Sequence, residues 1–493
     1  MDRTRRLLTN TMVLTAVRVI VPLMSLGVVL ALSRMLGADG LGRYTLVFTI
    51  LYVVNTVAPF GLYALITREG AKSADDIPRI MGSALALATC TAVPMVAVMA
   101  ALGTWLGYDA ETVSALRILS LAVVPFVVIM LCEAAFVAIE RVKWVAAGAV
   151  IDNGIKVSGA VFALLSGYGL DGVVIATVAG KCTAAVVQLA LLHREGYPVA
   201  RPDGVILRRL ASAAPTFLLI QIFATIYWRI DVLMLSKLGG DVSDVGYYGA
   251  AYRIFELVMI VPQSLCLALY PQVVQAVTDS RDELNVIGTQ TLRYLAAILL
   301  PATVAATLAG GRILALLYGE SFAPATTTLA VLIWAVLPFA WVRFHAYVLV
   351  AVDQQRVDLL LNVIMSAVNV ALNFMLIPRF GHLGAAVATL ISIGCYSLCQ
   401  FAYLRSRVPE HLGVLPRDLA PLLAAAVMAL TIVLLDGVNV LVTLAVAGVV
   451  YLAVLVRSGF FDGVDTRVIP LGPLEGVIRF VRGDSSLART PLS

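Results

Sequence analysis

Apolar runs of about twenty residues, each long enough to cross a bilayer as a helix, follow one another from Asn10 almost to Arg457. The segments between them are short and hold most of the charge, Gly and Pro. The balance of the whole chain agrees, with 61% hydrophobic and only 13% charged residues and a mean hydropathy of +0.96. An ordinary soluble domain carries roughly 25% charged residues. The sequence therefore predicts an all-α integral membrane protein of about 14 transmembrane helices. The expected spans cover residues 10–33, 43–66, 80–107, 113–139, 145–166, 171–193, 209–236, 246–275, 292–316, 326–352, 357–378, 383–404, 418–435 and 438–456. The opening MDRTRR followed by an apolar run imitates a signal peptide. That run is too long, contains Arg18 and has many spans behind it, so it reads as an uncleaved first span.

Basic loops are translocated poorly, so Lys and Arg fix the orientation. With the N-terminus inside, one side holds Arg3, Arg5, Arg6, Arg68, Lys72, Arg79, Arg141, Lys143, Arg194, Arg201, Arg208 and Arg209, with further arginines up to the tail. The other side holds only Arg34, Arg43, Arg117, Lys237, Arg312 and Arg379. Both termini are expected in the cytoplasm. The net charge of +5 follows from this topology and gives no reason to expect a nucleic-acid partner.

An internal repeat is visible. LSRMLGADGLGRYTLVFTI after span 1 resembles LSKLGGDVSDVGYYGAAYRI after span 7, and AIERVKWVAAGAVIDN recurs in outline as AVDQQRVDLLLNVIMS. Pro59 answers Pro262 in the register that relates Ser33 to Ser236, and Pro125 answers Pro338 in the register that relates Glu140 to Asp353. The expected organisation is two pseudo-symmetric six-helix lobes, 1–193 and 209–408, joined by a cytoplasmic linker, 194–208. An additional helix pair, 409–456, and a cytoplasmic tail, 457–493, complete the chain. Within the tail, LEGVIRFV has the pattern of a short amphipathic helix on anionic lipid.

The duplicated six-helix units, the LSRMLGADGLGRYTLVF hairpin with its echo, and HLGAAVATLI opening span 12 resemble the polysaccharide-transport, or oligosaccharide flippase, family. That family is grouped with multidrug and toxin extrusion antiporters and lipid II flippases. The resemblance covers residues 1 to about 410 and is one of pattern, without an invariant string. It implies a central cavity between the lobes that opens alternately to each face. It implies a bacterial cytoplasmic (inner) membrane protein that moves an undecaprenyl-pyrophosphate-linked oligosaccharide to the outer leaflet and works as a monomer. Membrane lipids, a polysaccharide polymerase and glycosyltransferases are the other expected partners, and no cofactor is expected.

Ionisable residues inside spans are costly and face cavities or partners. The cations are Arg18, Lys156, Lys181, Arg229, Arg253 and Arg343, and the carboxylates Glu133, Asp152, Asp231 and Glu256. The excess of cations suits a diphosphate. Arg18, followed by the helix-bending Pro22, is the foremost candidate, because a guanidinium offers fixed donors to phosphate oxygens. Snorkelling to the interface is the bland alternative. Asp152 and Lys156, one turn apart, read as an intrahelical pair, and Arg229–Asp231 and Arg253–Glu256 as a polar cluster. Asp152, Asp231 and Glu133 are the coupling-ion candidates. Asn55, Tyr63, Gln221, Tyr227, Trp228, Tyr252, Gln263, Asn369 and Asn373 are available to sugar hydroxyls, or serve as interhelical glue.

Other signals fail. GYGLDG satisfies G-x-G-x-x-G but joins two membrane spans with no strand before it, and no phosphate loop of the G-x-x-x-x-G-K-[ST] type occurs. The histidines are too scattered for a metal site, and no nucleophile and base stand together, so the expectation is a non-enzyme. A lipid II flippase, a cation-coupled multidrug antiporter with an acidic cavity, and a non-transporting synthase scaffold are the alternatives.

Overall fold

The computed structural model describes residues 3–279, 281–407 and 419–461, with side chains described from residue 24 onward except at a few positions near 220–227 and 278–282. Among these residues there are helices and no strands. The chain divides into two compact units, residues 1–246 and 247–493.

Unit 1 contains α1 (Arg3–Val57), α2 (Leu62–Lys72), α3 (Ile77–Trp105), α4 (Ala110–Ser120), α5 (Val123–Ala138), α6 (Val142–Leu165), α7 (Gly169–Arg194) and α8 (Gly204–Leu238). It also holds the first turn of α9 (Val242–Asp279). Unit 2 continues with α9, α10 (Arg281–Leu308), α11 (Gly310–Tyr318), α12 (Ala325–Leu332), α13 (Val336–Ala351), α14 (Gln355–Arg407), α15 (Ala420–Leu434) and α16 (Val440–Arg457).

Nine helices among the described residues are long and apolar enough to cross a membrane, or ten with the bent pair α4–α5. Three of the differences from the expected fourteen have a physical reason. Expected spans 1 and 2 run together in α1, broken by Gly37 at φ 67° and ψ −162°. Spans 11 and 12 run together in α14, broken by Gly381 at φ 53° and ψ −133°. In both, a single glycine outside helical geometry breaks the helix where a loop was expected. Span 13 corresponds to α15, whose 15 residues fall short of a full crossing.

The repeat is written into local backbone detail. Glu140 and Asp353 are both non-glycine residues at φ 58°. In each unit the next amide folds back in the same way, Arg141 N to Phe136 O at 2.8 Å and Gln354 N to Leu349 O at 2.7 Å. Ser33 and Ser236 each donate to the carbonyl three residues earlier, on Leu30 and Leu233, at 2.9 and 2.8 Å.

Two glycines in unit 1 set a close helix crossing. A Cβ at Gly42 would fall inside the van der Waals envelope of the Val242 carbonyl, and one at Gly246 would strike the Ala38 carbonyl. Backbone thus meets backbone, the packing that small residues permit between membrane helices.

The segment between α7 and α8 is pinned to α3. Ala200 N donates to Pro78 O at 3.0 Å, Asp203 N donates to Ser83 Oγ at 2.9 Å, and Asp203 caps α8 through Val205 N at 2.8 Å. Nearby, Glu69 accepts from Arg209, Lys72 and Arg68 at 2.8, 3.0 and 3.0 Å. Burial works to raise the Glu69 carboxyl, yet Lys72, Arg209 and Arg68 together hold it below its ordinary range. Trp144 donates its indole N–H to Glu195 at 2.7 Å. In unit 2, α15 and α16 pack on α10 around Ala424, Met428, Ile432 and Ala447, and Tyr451 donates to Ala297 O at 2.7 Å.

Candidate functional site

The site grows from a fault in span 2. α1 stops at Val57 and α2 starts at Leu62, with Pro59 between them and both Phe60 and Gly61 at positive φ, 53° and 70°. A non-glycine residue in this region is strained and persists only where its surroundings impose it. Here Thr91 supplies one support, donating to the freed Ala58 carbonyl at 2.6 Å. Irregular backbone at membrane depth is tolerated where it is packed in protein or lines a cavity.

Beside the fault lies a cavity of about 400 Å³ within unit 1. Tyr52, Asn55 and Thr56 reach it from α1, Tyr63 from α2, Phe126 and Met130 from α5, and Phe217 and Gln221 from α8. Its lining is aromatic and amide-bearing and, among the described residues, includes no Lys, Arg, Asp or Glu. Two cations lie against the rings: the Arg229 guanidinium is 4.8 Å from the Tyr52 centroid, and Lys181 Nζ is 5.3 Å from that of Phe126. Thr56 is bonded to Thr225 at 3.0 Å.

Beside Phe126 is a part-buried ionic group. Lys181 on α7 pairs with Asp152 on α6 at 3.2 Å, their side chains 15% and 17% exposed. Gly180 makes this approach possible, since a Cβ there would lie 2.7 Å from the Asp152 carbonyl oxygen. Glu133 lies at i+7 from Phe126 and i+3 from Met130 on α5, and it is within electrostatic reach of Lys181 and Asp152.

The expected pairing of Asp152 with Lys156 is therefore corrected. Lys156 instead donates to Asn153 Oδ1 at 2.7 Å and Ser25 Oγ at 3.1 Å, tying α6 to α1. The geometry of α6 and α7, brought together through small residues, gives Asp152 a partner on the next helix. In unit 2, Arg253 pairs with Glu256 at 3.2 Å, and the Arg343 guanidinium lies 5.6 Å from the Tyr347 centroid. Two of the six cations thus carry a carboxylate of their own, which leaves the excess of cations over carboxylates as the sequence has it. Asp231 is buried at 5% exposure. Gln263 is exposed on α9. Asn373 donates to Asn369 at 3.0 Å and Asn369 to Ser392 at 3.2 Å, both asparagines buried, which is interhelical glue. Tyr252 stacks on Tyr248 at 5.6 Å. The side chains of Arg18 and Tyr227 and the tail segment LEGVIRFV lie outside the described residues.

Of the cavity residues, sequence reasoning reached Asn55, Tyr63 and Gln221 and missed Phe126, Met130 and Phe217. The signal for the break was Pro59-Phe60-Gly61 in mid-span, a punctuation that ends a helix.

A multi-pass helical membrane chain with an internal repeat and a cavity at a broken span has the build of a MOP-superfamily transporter. The family model described as polysaccharide biosynthesis protein matches residues 7–277, and that described as lipid II flippase MurJ matches residues 168–456. The chain belongs to the polysaccharide biosynthesis protein family among the MOP-superfamily flippases. A similar relative is the probable low-salt glycan biosynthesis flippase Agl15 of Haloferax volcanii, 23% identical over 389 residues, 76% of this chain and 79% of that one. Another is the probable flippase AglR of the same organism, 32% identical over 178 residues. That alignment reaches 35% of this chain and only 36% of AglR. Among solved structures, lipid II flippase MurJ in an inward closed conformation superposes with a TM-score of 0.72 at 14% identity, over 91% of this chain and 98% of that one. An inward-facing MATE-family multidrug resistance transporter gives 0.65 at 16% identity, over 81% and 99%. At these identities the likeness is one of fold.

Proposed function

We propose that the chain carries an undecaprenyl-pyrophosphate-linked oligosaccharide from the cytoplasmic to the outer leaflet by alternating access, for surface or exopolysaccharide synthesis. The observation that carries the reading is the cavity at the fault in span 2, whose rings and amides suit a glycan passing through hydrocarbon. The family membership and the glycan-flippase names of the relatives support it. In this reading the lobes 1–193 and 209–408 are the rocking bodies, and Arg18, with Arg229 and Arg253, draws the diphosphate. Lys156, Lys181 and Arg343 are secondary cations, and Glu133, Asp152 and Asp231 are the residues through which an ion gradient would couple. The protein acts as a monomer in a bacterial inner membrane with both termini cytoplasmic, beside its glycosyltransferases and polymerase.

The test is complementation. In a strain lacking this chain, the wild type should restore polysaccharide export. Arg18→Ala, present in the membrane at the same level, should lower export by about tenfold or more, the effect of losing charged hydrogen bonds worth ~1.5–3 kcal/mol. Full export by Arg18→Ala would remove the residue from the substrate path, and retained activity in Arg18→Lys would say that charge alone suffices.

The MurJ family match over residues 168–456 favours a second reading, transport of lipid II. Replacing the glycan lipid with lipid II as the transported species decides between them. A multidrug antiporter calls for an acidic cavity, and the lining described for unit 1 contains no carboxylate.

A further inference from the structure

We infer that the unit 1 cavity is a seat for an uncharged sugar ring, separate from whatever group holds the diphosphate, and that the chain therefore selects glycans presenting a neutral hexose-type residue there. The inference rests on the flippase reading and adds to it the class of sugar.

The first observation is an acceptor. Asn55 Oδ1 is buried and accepts no hydrogen bond. A buried acceptor without a partner is costly, so an occupant that brings a donor is favoured. A hydroxyl does so. A carboxylate or phosphate oxygen brings only further acceptors and would leave the deficit in place. The Asn55 amide N–H2 and Gln221 next to it in the lining offer the complementary donor and acceptor, the pattern that vicinal hydroxyls match.

The second observation is the absence of charge at the surface of the lining among the described residues, although ionic groups stand close by. Arg229 and Lys181 sit against the rings of Tyr52 and Phe126, and Lys181 is compensated by Asp152. A pyranose has an apolar C–H face and a polar rim, and it meets this surface with its face on Tyr52, Phe126 or Phe217 and its rim on Asn55 and Gln221. The volume of about 400 Å³ is near the lower end of the ~300–1000 Å³ of small-molecule cavities, which limits the occupant to a ring or two.

The experiment uses the full chain in lipid nanodiscs and saturation-transfer NMR with two probes, methyl glucopyranoside and methyl glucopyranosiduronate. Saturation should pass to the neutral glycoside and be weaker by about tenfold or more for the uronate. Asn55→Ala should weaken binding of the neutral probe about tenfold, the loss of one hydrogen bond, and Asn55→Ser, which restores a hydroxyl acceptor, should recover part of it. Equal or stronger binding of the uronate, or neutral binding untouched by Asn55→Ala, overturns the inference. Because no lipid is needed, the two readings separate. Sugar binding without lipid-linked glycan transport leaves the seat standing and rejects the flippase, whereas transport without neutral-sugar binding rejects the seat alone.

Discussion

Gly42→Val and Gly246→Val should each lower the stability of the purified protein by about 3 kcal/mol, the upper end of what overpacking costs. The added side chain meets a backbone carbonyl in each case, Val242 for Gly42 and Ala38 for Gly246, and a carbonyl within a helix cannot rotate away. The crossing must open for either residue to fit. Gly27→Ala is the control, since nothing lies within 4 Å of a Cβ there, and it should be neutral or slightly stabilising. Melting temperature in detergent and recovery of monodisperse protein measure the effect. Wild-type melting for both valine variants would mean that the helices do not cross backbone to backbone.

The second large effect concerns the part-buried pair. Lys181→Met should destabilise by about 1–3 kcal/mol, because it leaves the Asp152 carboxylate without its partner between α6 and α7. Adding Asp152→Asn should recover most of that loss, since the penalty belongs to the unpaired charge more than to the missing pair. The same melting measurement reads both. A Lys181→Met protein as stable as wild type, or a double variant no better than the single, would show that the two groups do not depend on each other.

How much of this was legible in the sequence depended on the distance over which each feature is decided. The apolar runs, the duplicated register and the break signalled by Pro59-Phe60-Gly61 are local, and the structure expresses them directly. The relation of Glu140 to Asp353, read as a repeat offset, reappears as two residues with the same φ of 58°. The breaks at Gly37 and Gly381 were less legible, because a one-residue break leaves the apolar and helical pattern on either side nearly continuous. The partner of Asp152 was not legible. Along one helix Lys156 is the nearest cation, but the approach of α7, which Gly180 permits, brings Lys181 to 3.2 Å, and no periodicity reports that. For the same reason Phe126, Met130 and Phe217 read as ordinary core and emerged as cavity wall only once α5 and α8 were set beside the fault in span 2.

The two structural tests bear on the frame, and the transport claim needs its own. Proteoliposomes holding the full chain and a fluorescent lipid-linked oligosaccharide, exposed to a membrane-impermeant quencher, report movement between leaflets. The account predicts exchange far faster than in protein-free vesicles, slowed by Arg18→Ala and by Asn55→Ala. Exchange at the protein-free rate, with the chain folded and inserted, would contradict it and leave a membrane scaffold in place of a flippase.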